Sequence, residues 1–139
     1  MAGINTGRLL LGGLVAAVVI FLIEGAATPF YMSDMLHALQ QHNLSMGSGA
    51  SGMLAGALIS LLMGIGLIFF YAAARPRFGA GVKTAMIVAT VSFFTGYFAG
   101  LIGYQAIGLY PTDMLVRFGV TGLVEMNLAA IAGAWVYRE

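Results

Sequence analysis

The chain has 139 residues, of which 60% are hydrophobic and 8% charged, with a formal net charge of +1 and a mean hydropathy of +0.96. Soluble domains carry roughly 25% charged residues, so a chain this apolar requires lipid as its solvent. The small net charge argues against a nucleic-acid partner. The absence of cysteine excludes a disulfide framework, a thiolate nucleophile and an iron–sulfur site.

Four apolar segments each approach or exceed the roughly 20 residues that cross a bilayer as a helix. We therefore predict an all-α integral membrane protein, an antiparallel four-helix bundle that forms one domain over residues 1–139. Pro29 helps to end the first span, the run "RPR" ends the second, and Pro111 ends the third. Thr112 is the expected N-cap of the fourth. The predicted spans are about 8–28, 51–74, 82–109 and 113–137.

The first span also imitates a secretory signal peptide, with a basic start, an apolar run and the small residues "EGAAT" near its end. Its apolar run is longer than such a peptide needs, and Glu24 would lie just before the cleavage site. We therefore interpret this segment as a membrane span.

The connection between the first two spans, "YMSDMLHALQQHNLSMGSGAS", predicts a short amphipathic helix over about residues 33–43. Ser33 is its expected N-cap. Such a helix lies at the membrane surface or folds over the mouth of the bundle. The run "GSGASG" after it is a flexible joint.

Basic residues predict the orientation of the spans, because cytoplasmic loops are enriched in Lys and Arg. Arg8 precedes the first span, Arg75, Arg77 and Lys83 flank the turn between the second and third, and Arg138 follows the fourth. Both termini are therefore expected on the cytoplasmic side.

Small residues recur at intervals of four along each span, and in lipid such stripes let helix backbones approach closely. We expect these faces to be packed between helices. The stripes are Gly13 and Ala17 on the first span, Gly52, Gly56, Ser60 and Gly64 on the second, Ser92, Thr95, Gly96, Ala99, Gly100 and Gly103 on the third, and Thr121, Ala129 and Ala132 on the fourth.

Two glutamates interrupt the apolar spans on these same faces. At about 1.5 Å per residue, Glu24 lies roughly 24 Å from Arg8, and Glu125 roughly 20 Å from Arg138, so the two carboxylates share a similar depth. Arg117 lies two turns from Glu125 on its helix face. We predict one polar cluster of Glu24, Glu125 and Arg117, with Thr121, Asn127, Tyr97, Tyr104 and Gln105 as candidate supporting residues.

An ionisable group inside a membrane costs about 2.5 kcal/mol or more at mid-span, and it therefore marks a functional site by default. Three roles remain open: structural contact between helices, binding of a ligand or subunit, and proton or ion coupling. Arg117 either turns inward to Glu125 or extends to the headgroups.

Catalytic and metal-binding signatures are absent from the sequence. A di-metal helical bundle needs Glu-x-x-His pairs, whereas both histidines, His37 and His42, lie in the predicted loop. There is no P-loop, G-x-S-x-G or H-E-x-x-H motif. We predict no enzyme activity, no metal and no cofactor.

Three stretches, "GRLLLGGLVA", "YAAARPRFGAGVKTA" and "GLVEMNLAAIAGAWVYRE", resemble a family of small uncharacterised four-span bacterial membrane proteins. The shared motifs are a Y-A-A-x-R-P-R-F-G turn and a G-x-V-E…A-G-A-W-x-Y-R-E terminus. The resemblance implies a bacterial cytoplasmic (inner) membrane location and no established activity. In this resemblance Glu125 corresponds to the glutamate of the terminal motif, and Glu24 corresponds to the glutamate of the first span.

Together these features predict a non-catalytic membrane protein that binds a lipid-like or apolar small molecule between its helices, or packs as an accessory membrane subunit. The alternative is a small proton-coupled transporter that acts as an oligomer through Glu24 and Glu125. The expected partners are membrane lipids and a homo-oligomer or larger membrane complex, with no nucleic acid.

Overall fold

The computed structural model of the chain describes residues 4–47 and 49–137, and these are helical with no strands. Four of the helical segments are long and apolar enough to cross a membrane, so the chain is a multi-pass membrane protein. The predicted all-α bundle of four spans is confirmed. The helices are α1 (Thr6–Ala27), α2 (Met32–Gln41), α3 (Ala50–Phe78), α4 (Val82–Ser92), α5 (Phe98–Ala106) and α6 (Thr112–Val136).

The first span, α1, packs mainly against α3 and α6. The third span, formed by α4 and α5, packs mainly against α6, and its α4 half also contacts α3. We call the end that carries Arg8, Arg75, Arg77 and Lys83 the basic end. The opposite end, which carries α2 and the turn before α6, is the loop end. Arg138, predicted to follow the fourth span, lies outside the described residues.

Two adjacent glycines bring α1 close to both of its neighbours near the basic end. A Cβ on Gly12 would stand 2.8 Å from the Gly133 carbonyl oxygen of α6, and a Cβ on Gly13 would stand 2.8 Å from the Ile65 Cα of α3. Neither position has room for a side chain. The expectation that small residues let these helices pack backbone to backbone therefore holds at this end.

The second span does not stop at "RPR" as predicted, since α3 continues through Pro76 to Phe78. Proline is tolerated there because it removes only one backbone hydrogen bond close to the helix end. The Gly79 N–H donates to the Arg75 carbonyl and closes the last turn. Gly79 has a φ of 82°, a left-handed conformation that ends the helix.

The third span is not the continuous helix over 82–109 that the sequence predicts. A π-helical segment at Phe93–Tyr97 separates α4 from α5, and α5 ends at Ala106. Gly108, with a φ of 68°, follows, and the Leu109 N–H donates to the Tyr104 carbonyl. This is the bonding pattern of a Schellman motif, which terminates the helix.

The predicted amphipathic helix over 33–43 is present as α2 (Met32–Gln41), and its N-cap residue is Tyr31 rather than Ser33. It folds over the loop end of the bundle, where the His42 ring nitrogen lies 3.1 Å from the Gly108 carbonyl oxygen. Pro111, not Thr112, is the N-cap residue of α6. The Thr112 hydroxyl instead donates to Gln105 across the preceding turn.

The small-residue stripe of the third span is open, contrary to prediction. A Cβ added to Gly96, Gly100 or Gly103 would meet nothing within 4 Å. Among the described residues, α3 contacts α4 but makes no comparable contact with the π-helical segment or α5. The second and third spans therefore pack together at the basic end and separate towards the loop end.

Candidate functional site

Glu125 lies inside the bundle on α6, with only 3% of its surface exposed. Among the described residues, its Oε2 has no hydrogen-bond partner. A buried polar atom left without a partner costs about 1–3 kcal/mol, and more if the group is charged. The folded chain therefore places a carboxyl group in its interior with one oxygen that no described residue satisfies.

Glu24 lies on α1, close enough to Glu125 for the two carboxylates to interact electrostatically. From the contact between Gly12 and Gly133, Glu24 is about 18 Å along α1 and Glu125 about 12 Å along α6. Glu24 thus lies about one turn nearer the loop end. The two carboxylates have the similar depth that the sequence predicts.

Tyr31 holds the side chain of Glu24. Its hydroxyl donates to Glu24 Oε1, and the residue is only 4% exposed. Burial and the hydrogen bond to Glu24 raise the pKa of Tyr31 above its ordinary value, so the phenol stays a proton donor throughout the physiological range. Its ring packs edge-on against Phe118 of α6, with a centroid distance of 4.9 Å.

Tyr97, in the π-helical segment, interacts electrostatically with both glutamates. Its ring stacks on Phe93 at a centroid distance of 5.6 Å and lies against the bare backbone of Gly122. A Cβ on Gly122 would stand 2.7 Å from the ring, so this glycine makes the room that Tyr97 occupies. We call Glu24, Tyr31, Tyr97 and Glu125 the acid–phenol cluster.

Arg117 does not join this cluster, which corrects the sequence prediction. Its Nη2 lies 3.0 Å from Asp34 of α2 and 2.8 Å from Asp113, one turn earlier on α6. Its Nη1 also donates to the Phe30 carbonyl at 3.5 Å. The amphipathic helix supplies a nearer carboxylate at the loop end, so Arg117 turns outward. Asp34 was not predicted as its partner.

The remaining predicted residues are spread over several sites. Thr121 is half-buried one turn from Glu125. Asn127 is about 200° around the helix from Glu125, and its amide donates to the Leu123 carbonyl while its Oδ1 is without a partner in the described chain. Tyr104 is exposed with its ring against Tyr110, and exposed Gln105 accepts from Thr112.

Sequence analysis did not identify Tyr31 as a member of the cluster. Its place follows from the tight turn at Thr28–Phe30, which folds the chain back over the end of α1. Helical spacing could not have shown this contact, because α1 ends at Ala27, between the two residues.

The cluster combines two carboxyl groups with two phenols. Within residues 4–47 and 49–137, no group of three or more histidine, cysteine, aspartate or glutamate side chains is placed to hold a metal ion. The separate cleft between α2 and the start of α6, of about 220 Å³, is lined by Asp34, His37 and Arg117 among others but by neither glutamate.

Comparisons with protein families, with characterised proteins and with solved structures find no match to this chain. The resemblance to small four-span bacterial membrane proteins therefore stays a prediction.

Proposed function

We propose that the protein is a non-catalytic membrane protein that binds an amphipathic small molecule between its helices, with the polar group of that molecule at the acid–phenol cluster. The observation that carries the proposal is the unpartnered Oε2 of Glu125 at 3% exposure. Ionisable groups inside membranes are rare and mark functional sites, and within the described part of the chain no hydrogen bond to this oxygen accounts for its burial.

The separation of the second and third spans supports the same proposal. Apolar side chains of α3 towards the loop end, such as Met53, Leu54 and Leu58, are more than half exposed. The open glycines of the third span face no neighbouring side chain. A hydrocarbon body can lie along these surfaces while its polar end reaches inward, as small-molecule sites combine apolar walls with a few polar groups.

Native mass spectrometry of the protein from a mild detergent tests this proposal. The wild-type protein should retain an adduct that Glu125→Gln weakens. Asp113→Asn is the matched control, because it removes one negative charge from the same helix outside the cluster. A clean mass of the empty protein in every sample would contradict the proposal.

A second candidate is a proton-coupled transporter, favoured by two carboxyl groups at similar depth that interact electrostatically. Two acids held close together bind protons more readily than either does alone. In this case proteoliposomes should show substrate flux that stops in Glu24→Gln and Glu125→Gln while both variants remain folded. Four spans seldom enclose a pathway, so an oligomer would be required. Flux that continues in both variants would eliminate transport through these acids.

We further propose a bacterial inner-membrane location with both termini cytoplasmic, on the strength of the basic residues at one end. The chain has no cysteine, so a single cysteine can report its orientation. Ala80→Cys should be protected from an impermeant thiol reagent in intact cells, and Ser45→Cys should react. If Ala80→Cys reacts and Ser45→Cys is protected, both termini lie on the outer side instead.

For its partners we propose membrane lipids and either a homo-oligomer or a larger membrane complex. The open glycine face of the third span supports packing against another helix, since small residues favour close approach in lipid. Gly100→Leu should then release the partner in native gels. An unchanged assembly would remove this face from consideration.

A further inference from the structure

Among the described residues, the acid–phenol cluster contains acidic groups and no basic one. Glu24 and Glu125 supply two carboxylates, and Tyr31 and Tyr97 supply two phenols. The nearest basic residue that the sequence offered, Arg117, is bound to Asp34 and Asp113. The site therefore holds acids without a compensating cation.

The other basic residues of the described chain are remote from the cluster. Arg8 is in the first turns of α1, Arg75 and Arg77 are in the last turn of α3, and Lys83 is at the start of α4. Glu24 lies about 24 Å from Arg8 along the helix. No movement of a side chain brings any of these cations to the cluster.

We infer that the group bound at the acid–phenol cluster is an organic cation, a molecule with an apolar body and a positively charged centre. This inference rests on the proposed function and adds the chemical class of its ligand. When both acids are ionised they repel a carboxylate or phosphate head, and a bound cation favours that ionised form of the pair.

An organic cation satisfies each requirement of the site. Its charge offsets the carboxylates in a low-dielectric interior, where an unpaired charge is costly. Its apolar body suits the hydrocarbon surfaces of α3 and the third span. Tyr97, which interacts with both glutamates, belongs to an aromatic cluster with Phe93, Phe94 and Phe98 whose ring centroids are 5.1–6.0 Å apart, and aromatic rings attract cations.

Two probes of nearly equal size and opposite charge isolate the role of charge. Isothermal titration of the protein in dodecyl maltoside micelles would compare tetraphenylphosphonium with tetraphenylborate, and both with neutral triphenylmethanol, which still offers a hydroxyl donor. Glu125→Gln and Glu24→Gln are the test variants and Asp113→Asn the charge-matched control. All variants are measured in the same micelles, so the difference in binding heat between two variants cancels the contribution from probe partitioning into detergent.

We expect tetraphenylphosphonium to bind the wild type and Asp113→Asn equally, and Glu125→Gln more weakly by about tenfold or more. Tetraphenylborate and triphenylmethanol should give no heat beyond the micelle blank. If triphenylmethanol binds as well as the cation and also depends on Glu125, the proposed function stands and the cation inference is wrong. If no probe binds, both are wrong.

The ammonium of an aminolipid shares this chemistry with a free organic cation. Adding phosphatidylethanolamine to the micelles distinguishes the two sources. Displacement of tetraphenylphosphonium would assign the site to the lipid headgroup, and undisturbed binding would assign it to a free cation. Should Glu125→Gln fail to fold, the Glu24→Gln titration carries the same test from the other helix.

Discussion

Replacing Gly64 with alanine should force α1 and α3 apart. A Cβ at this position would stand 2.5 Å from the Ala17 nitrogen and closer still to the Gly13 carbonyl oxygen. Both are backbone atoms, so no change of rotamer relieves the clash. Ordinary contact begins near 3.4 Å, and the two helices must therefore separate by roughly 1 Å at this point.

The magnitude follows from how helices associate in lipid. The contact between α1 and α3 depends on van der Waals packing rather than on the hydrophobic effect. A gap of about 0.5–1 Å forfeits a quarter to a half of the attraction between facing atoms. Overpacking of this kind costs about 1–3 kcal/mol, and we expect about 2 kcal/mol for Gly64→Ala.

Gly66→Ala is the matched control, because it makes the same chemical change two residues away on the same helix. A Cβ there would meet nothing within 4 Å. Its free energy of unfolding should stay within about 0.5 kcal/mol of the wild type, or rise slightly because alanine favours the helix. Titration of dodecyl maltoside micelles with sodium dodecyl sulfate, followed by far-ultraviolet circular dichroism, measures both variants. Equal stabilities for the two variants would refute the close-approach argument.

Glu125→Met should raise the free energy of unfolding of the empty protein by about 1–3 kcal/mol, because it removes an unsatisfied buried oxygen. Glu24→Met should lower it by about 1 kcal/mol, because the hydrogen bond from the Tyr31 hydroxyl is lost. The same detergent titration checks both, and a large loss in Glu125→Met would show that this acid holds the helices together. Arg117→Gln should speed hydrogen–deuterium exchange in α2 while changing global stability by no more than about 1 kcal/mol, since the ion pairs it removes are exposed; unchanged exchange would mean that other contacts hold α2. Gly122→Ala should displace the Tyr97 ring and weaken the binding of tetraphenylphosphonium. Gly119→Ala should not, because its Cβ would make an ordinary 3.4 Å contact. Equal titration curves for the two variants would contradict the assigned packing.

Local sequence determined the membrane class, the number of spans and the amphipathic outer helix. These features depend on composition, segment length and periodicity, which do not require knowledge of the partners of a residue. The depth of Glu24 and Glu125 was predictable for the same reason, because each residue adds about 1.5 Å of rise along a helix. The turn at Gly108 and the end of α3 at Gly79 carried their own signals, since glycine readily adopts the left-handed backbone that ends a helix.

Only the tertiary structure decided which polar groups meet. The sequence left two orientations open for Arg117, inward to Glu125 or outward to the headgroups. In the fold α2 lies over the bundle, and Arg117 binds Asp34 and Asp113 at the loop end. The π-helical segment rotates the third span, so Tyr97 reaches the glutamates while its neighbouring glycines lie open. A stripe of small residues shows which face permits close approach but not which helix approaches it. Arg117 does not reach Glu125, because Asp113 of α6 and Asp34 of α2 hold its guanidinium at the loop end.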